Sequence, residues 1–319
     1  MKKTTIALTI SVILIIVGIA IFLGALISAD FDFGKIGTDK TVPINYETEG
    51  EYSDIEVKTI VSSVNLALSD GEKTRLEGNT NGNMTYTLTV ENGKLTVTEK
   101  DTRKWYEHIG FFFGNSEITV YLPSSEFSSL TAKSDTGRIS VPSDFTFEYA
   151  ELRCDTGKIQ INSSVTKKLS AVTDTGKIEV SDIRVGELHI ETDTGKITVK
   201  DIESSGKITA IDNTGNIEFK NTKCVSLSAE NDTGSISLTD FLAEKHIELE
   251  TDTGNVILEN ADAETLEIDT DTGNVRGNLL TDKIFFTETD TGNVNVPRTT
   301  SGGICEISTD TGNINITIG

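Results

Sequence analysis

Residues 171–199 are AVTDTGKIEVSDIRVGELHIETDTGKITV and contain one short pattern twice, centred on Asp174 and Asp193. The triplet Asp-Thr-Gly, or once Asn-Thr-Gly, occurs ten times at intervals of 19 or 20 residues. Its first residues are Asp135, Asp155, Asp174, Asp193, Asn213, Asp232, Asp252, Asp271, Asp290 and Asp310. So narrow a period over more than half of the chain predicts stacked copies of one structural unit.

The residues beside each triplet alternate between apolar or small side chains and polar ones. Around Asp193 the first kind are Leu188, Ile190, Thr192, Ile197 and Val199. Spacing by two predicts strands with one face inward. The triplet predicts the turn between them, because Asp bonds its own backbone and Gly accepts unusual backbone angles. A second turn is predicted near Asp182, Asp201 and Asp240.

Turns that contain Asp and Gly also join antiparallel hairpins. In this chain, however, the strands on both sides of the turn share one phase, and the copies are nearly equal in length. We therefore predict an all-β fold, a parallel β-solenoid of about ten 19–20-residue coils. One inward ladder is expected to contain Ile139, Ile159, Ile178, Ile197, Ile217, Ile236, Val256, Val275, Val294 and Ile314.

The sequence before the repeats divides into three predicted segments. Residues 1–29 are a cytoplasmic tip and a transmembrane helix, residues 30–50 a linker, and residues 51–123 an irregular β capping region before the repeats of 124–319. Short apolar alternations predict strands at 55–57, 64–68, 86–90 and 95–97, and Asn92-Gly93 predicts a hairpin turn.

Residues 4–29 carry no charge and are mostly Ile, Leu, Val, Ala and Gly. About 20 such residues suffice to cross a bilayer. Lys2 and Lys3 precede the run and Asp30 and Asp32 follow it, which predicts a single-pass anchor with residues 30–319 outside the cytoplasm. A cleaved signal peptide is the alternative, because Ser28-Ala29 is small.

The composition bounds the partners and the redox chemistry. A net charge of −22 argues against binding to nucleic acid. Three cysteines imply no disulfide framework; Cys154 and Cys305 lie in inward columns and are predicted to be buried free thiols.

An aromatic cluster interrupts the capping region. It contains Trp105, Tyr106, His108, Phe111, Phe112 and Phe113. Two interpretations are open: a hydrophobic cap or packed loop, and an exposed loop that contacts a lipid headgroup or a partner.

A structural turn explains the triplets and their surroundings better than three chemical functions do: proteolysis, calcium binding and glycan cleavage. Aspartic proteases use Asp-Thr-Gly, but they need two copies that share one proton, whereas this chain repeats the triplet ten times. Stacked carboxylates can hold calcium; that ladder would be Asp174, Asp193, Asp232, Asp252, Asp271 and Asp290. A glycan-cleaving β-helix needs a carboxylate pair in a cleft, and these coils have almost no insertions. We predict no catalytic residues, cofactor or metal.

The residue after each triplet can relieve repulsion between stacked Asp side chains without a metal. In early coils it is basic: Arg138, Lys158, Lys177 and Lys196. In late coils it is Asn255, Asn274, Asn293 or Asn313, which predicts a ladder of stacked amides.

The strand Ile118–Pro123, followed by recurring Thr-Asp-Thr-Gly-Lys-Ile-x-Val and Thr-Asp-Thr-Gly-Asn-Val units, resembles a bacterial putative-adhesin family, a domain of unknown function. The resemblance covers about residues 45–319. It implies the setting of membrane-anchored relatives, which look like accessory proteins of envelope-stress systems, and offers no catalytic residues.

We therefore expect a membrane-tethered binding or scaffold protein of the cell envelope, with an envelope protein or glycan as its partner. The alternatives are an envelope glycan-acting enzyme and an accessory sensor. We also expect self-association through the open edge of the carboxyl-terminal coil.

Overall fold

A computed structural model describes residues 2–28, 41–103 and 116–319 of the chain. Helix α1 is Lys2–Ser28, and its side chains are described at 11–24 and 27–28, where all are exposed. Among the residues whose side chains the structure describes, no helical segment is long and apolar enough to cross a membrane. The predicted aromatic loop at 105–113 and most of the predicted linker lie outside the described residues.

The rest of the described chain is almost entirely β-structure. The strands are β1 Thr41–Thr48, β2 Asp54–Thr59, β3 Ser63–Leu68, β4 Thr74–Asn81, β5 Met84–Glu91, β6 Lys94–Asp101, β7 Glu117–Leu122, β8 Glu126–Thr136, β9 Ile139–Val141, β10 Thr146–Thr156, β11 Ile159–Ile161, β12 Ser164–Ser204, β13 Lys207–Thr233, β14 Ile236–Thr253, β15 Val256–Ala261, β16 Thr265–Thr272, β17 Val275–Leu279, β18 Lys283–Thr291, β19 Val294–Asn295, β20 Gly303–Thr311 and β21 Ile314–Ile318.

The repeats form a parallel β-solenoid. Residues 19 or 20 apart pair in register, as in the series Ile197, Ile217, Ile236 and Val256. The prediction of an all-β solenoid with about ten turns is confirmed. Each coil is named below by the first residue of its triplet.

The inward columns predicted from the alternation are the core. Leu188, Ile190, Thr192, Ile197 and Val199 are each at most 1% exposed. The prediction was wrong for Val294, which is 43% exposed because its coil lies at an end of the stack. The three cysteines are free and buried, as predicted for Cys154 and Cys305.

The glycine of the triplet is required by close contact between coils. A Cβ added at Gly195 would lie 1.7 Å from the carbonyl oxygen of Gly176 in the coil below. The inward residue before the triplet donates to the same carbonyl column: the Thr192 hydroxyl bonds Gly176 at 3.3 Å, and the Asn231 amide bonds Gly215 at 2.9 Å. The turn therefore joins successive coils as well as successive strands.

The second predicted turn is also present. Its residues have left-handed backbone angles, with φ values of 59° at Asp182, 55° at Asp201 and 51° at Asp240. Asp and Asn tolerate this conformation better than other side chains with a Cβ. The amides of Asn221 and Asn260 donate to the carboxylates of Asp201 and Asp240, respectively.

The first coils are stacked out of chain order. Strands β2 and β3 form one coil, which lies between the later strands β6 and β7 on one side and β8 and β9 on the other. The predicted hairpin at Asn92-Gly93 is confirmed, since β5 and β6 are antiparallel and both turn residues have positive φ. Strand β1 pairs antiparallel with β4, so residues 41–48, which were predicted as linker, belong to this end of the solenoid.

A buried carboxylate, Glu99, closes the turn at residues 60–62. One oxygen accepts from the backbone N–H groups of Ile60 (2.5 Å), Val61 (3.0 Å) and Ser62 (3.3 Å). The other accepts from the hydroxyls of Ser62 and Tyr86, both at 2.7 Å. All five donors converge on one side chain that is 4% exposed.

The last two coils are also stacked out of chain order. Strand β20 of the Asp310 coil pairs with β16 on one side and with β18 on the other, although β18 precedes it in the chain. The prediction that the Asp310 coil forms the open edge was wrong: among the described strands, the outermost at this end are β18 and β19 of the Asp290 coil. A buried ion pair, Lys283 Nζ to Asp262 Oδ1 at 2.6 Å, anchors the start of β18.

Candidate interaction surfaces

The turn aspartates lie on an exposed edge of the solenoid. All six residues of the hypothetical calcium ladder are exposed. Within the part of the chain that the structure describes, no group of three or more His, Cys, Asp or Glu side chains could hold a metal ion. Arg153 lies 3.7 Å from Asp174, so a base partly balances the ladder in an early coil.

The predicted amide ladder is present in the late coils. The side-chain amide of Asn274 donates to Asn255 (3.1 Å), that of Asn313 to Asn274 (3.1 Å), and that of Asn293 to Asn313 (3.2 Å). The order Asn255, Asn274, Asn313, Asn293 follows the stacking of the coils, because the Asp310 coil lies between the Asp271 and Asp290 coils. Each amide fixes the register of its coil against the next.

Bases in the early coils pair with glutamates two columns away. Lys158 and Lys177 both bond Glu179. Burial raises the pKa of Glu179, but hydrogen bonds and charge from the two lysines outweigh it and the net shift is downward. This part of the surface is internally neutralised.

The outer face of the long strands is acidic in the carboxyl-terminal half. Register places Glu230, Glu250 and Asp269 in one column. Glu248, Glu267 and Glu306 form the neighbouring column. We call these six side chains the acidic face.

The six side chains of the acidic face are exposed and form none of the ion pairs found among the described residues. Neighbouring members of a column lie about 4.8 Å apart along the axis, the spacing of paired strands. Burial, followed by the charges of Glu230 and Asp269, raises the pKa of Glu250. The face is therefore a flat array of mutually repelling carboxylates, which a cationic partner would relieve.

The open edge of the Asp290 coil exposes apolar side chains. Phe286 is 56% exposed and Val294 43%, while Phe285 is only partly buried. Among the described strand pairings, β18 has β20 as its only partner. Its other backbone edge is available for a further strand.

Asp212 is a buried acid at a position where other coils have hydrogen-bond donors. It is 1% exposed and lies in register with Thr192. One carboxylate oxygen accepts from the Thr214 N–H at 3.1 Å, and the other has no partner. Burial raises the pKa of Asp212 to about 7, and the Asp232 charge adds to the shift.

The sequence interpretation missed Asp212, Glu99 and Lys283. Asp212 had a signal, since it is the only charged residue directly before a triplet. Glu99 also had one, because it continues the inward alternation of Leu95 and Val97. The partner of Lys283 depends on how the end coils stack, and a repeat pattern does not show that.

The two histidines within the described residues, His189 and His246, do not form a common site. His189 Nε2 lies 3.2 Å from Glu191, and His246 Nδ1 lies 2.8 Å from the Thr265 hydroxyl in the next coil. Both contacts are on the outer face, and His108 lies outside the described residues.

The family model described as Toastrack DUF4097 matches residues 52–239 and 206–319. No curated protein sequence matches the chain. Solved structures resemble it in fold. A "putative lipid binding protein" from Parabacteroides distasonis has a TM-score of 0.50 at 14% identity, over 75% of this chain and 97% of that one.

Two further structures are described as putative adhesins. The one from Bacteroides fragilis has a TM-score of 0.42 at 14% identity, over 87% of this chain and 97% of that one. The one from Parabacteroides merdae has a TM-score of 0.38 at 10% identity, over 88% and 98%. At these identities the likeness concerns the fold alone.

Proposed function

Since this chain belongs to the Toastrack DUF4097 family, we propose that it is a membrane-anchored, adhesin-like binding or scaffold protein, acting outside the cytoplasm at the bacterial cell envelope. The observation that carries the binding role is the acidic face, an array of six exposed carboxylates without cationic partners among the described residues. We propose binding without catalysis, to an envelope protein or glycan that presents cations.

The proposed anchor is α1. Its sequence from residue 4 to residue 28 is uncharged, and residues 11–24 are exposed on every side of the helix. A helix that is apolar all round needs an apolar environment. Lys2 and Lys3 before the run support a cytoplasmic amino terminus.

The test uses the full-length chain expressed in bacterial cells. The β-solenoid should be digested by protease added to intact cells, and the mature protein should keep α1 by mass spectrometry. A mass that lacks the first 29 residues would replace the anchor with a cleaved signal peptide. A protease-resistant solenoid in intact cells that becomes sensitive after lysis would overturn the external location.

Binding is then measured by retention of envelope components on the purified full-length protein, with and without calcium. We expect Glu248→Gln, Glu267→Gln and Glu306→Gln together to weaken retention by tenfold or more, because they remove one column of the acidic face. The control removes three exposed carboxylates elsewhere, Glu51, Glu72 and Glu126. Equal loss in both triple variants would mean that only net charge matters.

The alternatives predict other results. An enzyme acting on envelope glycans would release soluble fragments from the retained polymer. An accessory sensor would retain nothing, and its deletion would change the envelope-stress response. Retention only with calcium would support the ladder of turn aspartates as a metal site.

We also propose weak self-association through the open edge, with two copies pairing their β18 strands antiparallel. An unpaired edge is self-complementary in this arrangement. We expect sedimentation of the full-length protein in a non-ionic detergent to show a dimer that strengthens with salt, because salt screens the net charge of −22.

Phe286→Lys should abolish the dimer, since a charge in the centre of the edge strand opposes pairing. Leu242→Lys is the matched control, because Leu242 is 37% exposed in β14, away from the edge. A dimer that survives Phe286→Lys would exclude this edge as the interface.

A further inference from the structure

The inward residue before each triplet forms a column of hydrogen-bond donors. Hydroxyls occupy it in the Asp174, Asp193, Asp252 and Asp271 coils, and each donates to the carbonyl of the triplet glycine in the adjacent coil. The Cys154 thiol and the Asn231 amide do the same at 2.7 Å and 2.9 Å. The column bonds each coil to its neighbour inside the core.

Asp212 is the exception in this column. Its unpartnered Oδ2 lies 2.5 Å from the point where a Cβ on Gly215 would be, and the Gly195 carbonyl oxygen lies 1.5 Å from that point. The corresponding atom at Gly195 is the Thr192 hydroxyl, 3.1 Å from its Cβ point. The Oδ2 atom of Asp212 therefore occupies the position that a hydrogen-bond donor has in the other coils. It lies next to the Gly195 carbonyl oxygen, which is an acceptor.

Two oxygens that both accept cannot share a hydrogen bond. Leaving a buried carboxylate oxygen against a carbonyl costs free energy, and a proton between them removes the cost. We propose that Asp212 is protonated in the folded solenoid and donates its Oδ2–H to the Gly195 carbonyl, which makes the contact between the Asp193 and Asn213 coils sensitive to pH.

The sequence of the turn independently favours a neutral Asp212. Asn213 is the one departure from Asp at the first position of the triplet, and it directly follows Asp212. An Asp there would place a second carboxylate beside the first. Asn213 thus removes a negative charge from the turn only in this coil, the one whose inward residue before the triplet is acidic.

The charged groups around Asp212 do not supply a counter-ion. The coil below, in β12, has the exposed carboxylate of Asp193. The coil above has Asp232, whose charge further raises the pKa of Asp212, after burial itself. Lys196, in the coil below, is paired with Glu218 at 2.5 Å on the outer face.

The inward residue of the coil above is Asn231, whose amide donates to the Gly215 carbonyl, and the coil beyond it has Thr251 inward and the exposed carboxylate of Asp252. No cation faces Asp212 from the described strands below or above it.

The sign of the pH dependence follows from the raised pKa. Below about pH 4 the acid is protonated in both the folded and the unfolded chain, so it has no effect. As the pH rises toward 7 the unfolded chain loses the proton first, and folding must take it up again. Stability is therefore lost as the pH rises through this window, with the full loss above about pH 7.

The experiment compares thermal unfolding of the full-length chain with that of Asp212→Asn and Asp212→Thr, in a mild non-ionic detergent at pH 5, 6.5 and 8. Both replacements can donate to the Gly195 carbonyl at any of these values, as Asn231 and Thr192 do to their own partners. We expect the thermal midpoint of Asp212→Asn to rise relative to that of the wild type as the pH increases. Between pH 5 and pH 8 this advantage should grow by roughly 5–10 °C, which corresponds to about a hundredfold in the folding constant.

The control is Asp193→Asn, which removes an exposed carboxylate from the neighbouring coil and should give a difference that does not vary with pH. Two results would overturn the proposal. One is a difference between Asp212→Asn and wild type that is the same at all three pH values. The other is a pH-dependent gain in Asp193→Asn as large as in Asp212→Asn. Asp212→Thr keeps the test valid if the Asn variant packs poorly.

Discussion

We expect Gly195→Ala to lower the free energy of unfolding by about 3 kcal/mol or more, the upper part of the range for overpacked cores. The added Cβ would lie 1.7 Å from the Gly176 carbonyl oxygen, and that oxygen belongs to the backbone of the coil below. A side chain could rotate away, but here the two coils must separate. The thermal midpoint of the full-length chain should fall by roughly 6–12 °C.

Gly71→Ala is the matched control for this effect. A Cβ at Gly71 meets nothing within 4 Å, and the residue is exposed before β4. Its midpoint should stay within about 2 °C of wild type, the usual result of a surface change. Equal losses in the two variants would show that backbone flexibility, rather than contact between coils, explains the glycines.

We expect Glu99→Gln to cost about 3 kcal/mol or more, because it replaces a charged acceptor of five hydrogen bonds with an amide. The amide nitrogen of Gln would face donors, either the N–H groups of residues 60–62 or the hydroxyls of Ser62 and Tyr86. At least one buried donor would lose its partner. Chemical denaturation followed by circular dichroism measures the loss.

Tyr86→Phe removes one neutral donor to Glu99 and leaves the carboxylate in place, so it measures the contribution of a single hydrogen bond. It should lower the free energy of unfolding by about 1 kcal/mol. Glu72→Gln is the exposed control and should change stability by less than about 0.5 kcal/mol. A Glu99→Gln variant as stable as the control would mean that the turn at 60–62 closes without the carboxylate.

The architecture was predictable because each coil repeats one pattern of inward residues. Alternation around Asp193 identified five buried positions, and the Asn after the late triplets identified the amide ladder. Both signals are local, so they survive in a single sequence. The hairpin at Asn92-Gly93 was predictable for the same reason.

The order of the coils was not predictable, and the reason is physical. The Asp271, Asp290 and Asp310 coils present Val275, Val294 and Ile314 in the same column. Any of these coils can therefore pair with either of the others at similar cost. The observed order exposes Val294, and in it Lys283 at the start of β18 forms the buried pair with Asp262.

The acidic face could not be predicted from the sequence either, for a different reason. Its members are ordinary outward residues of separate strands, and only the register places Glu248, Glu267 and Glu306 together. Asp212 was visible in the sequence as an acid in an inward column, but its meaning required the carbonyl of Gly195 beside it.

The exchange of the last two coils has a consequence for biosynthesis. A chain that emerges in order exposes β18 before its sole described strand partner, β20, exists. In the folded chain the place beside β16 belongs to β20, so the Asp290 segment reaches its native position only when residues 303–319 lie between it and β16. The last step is therefore the insertion of residues 303–319, which couples completion of this end of the solenoid to the synthesis of that segment.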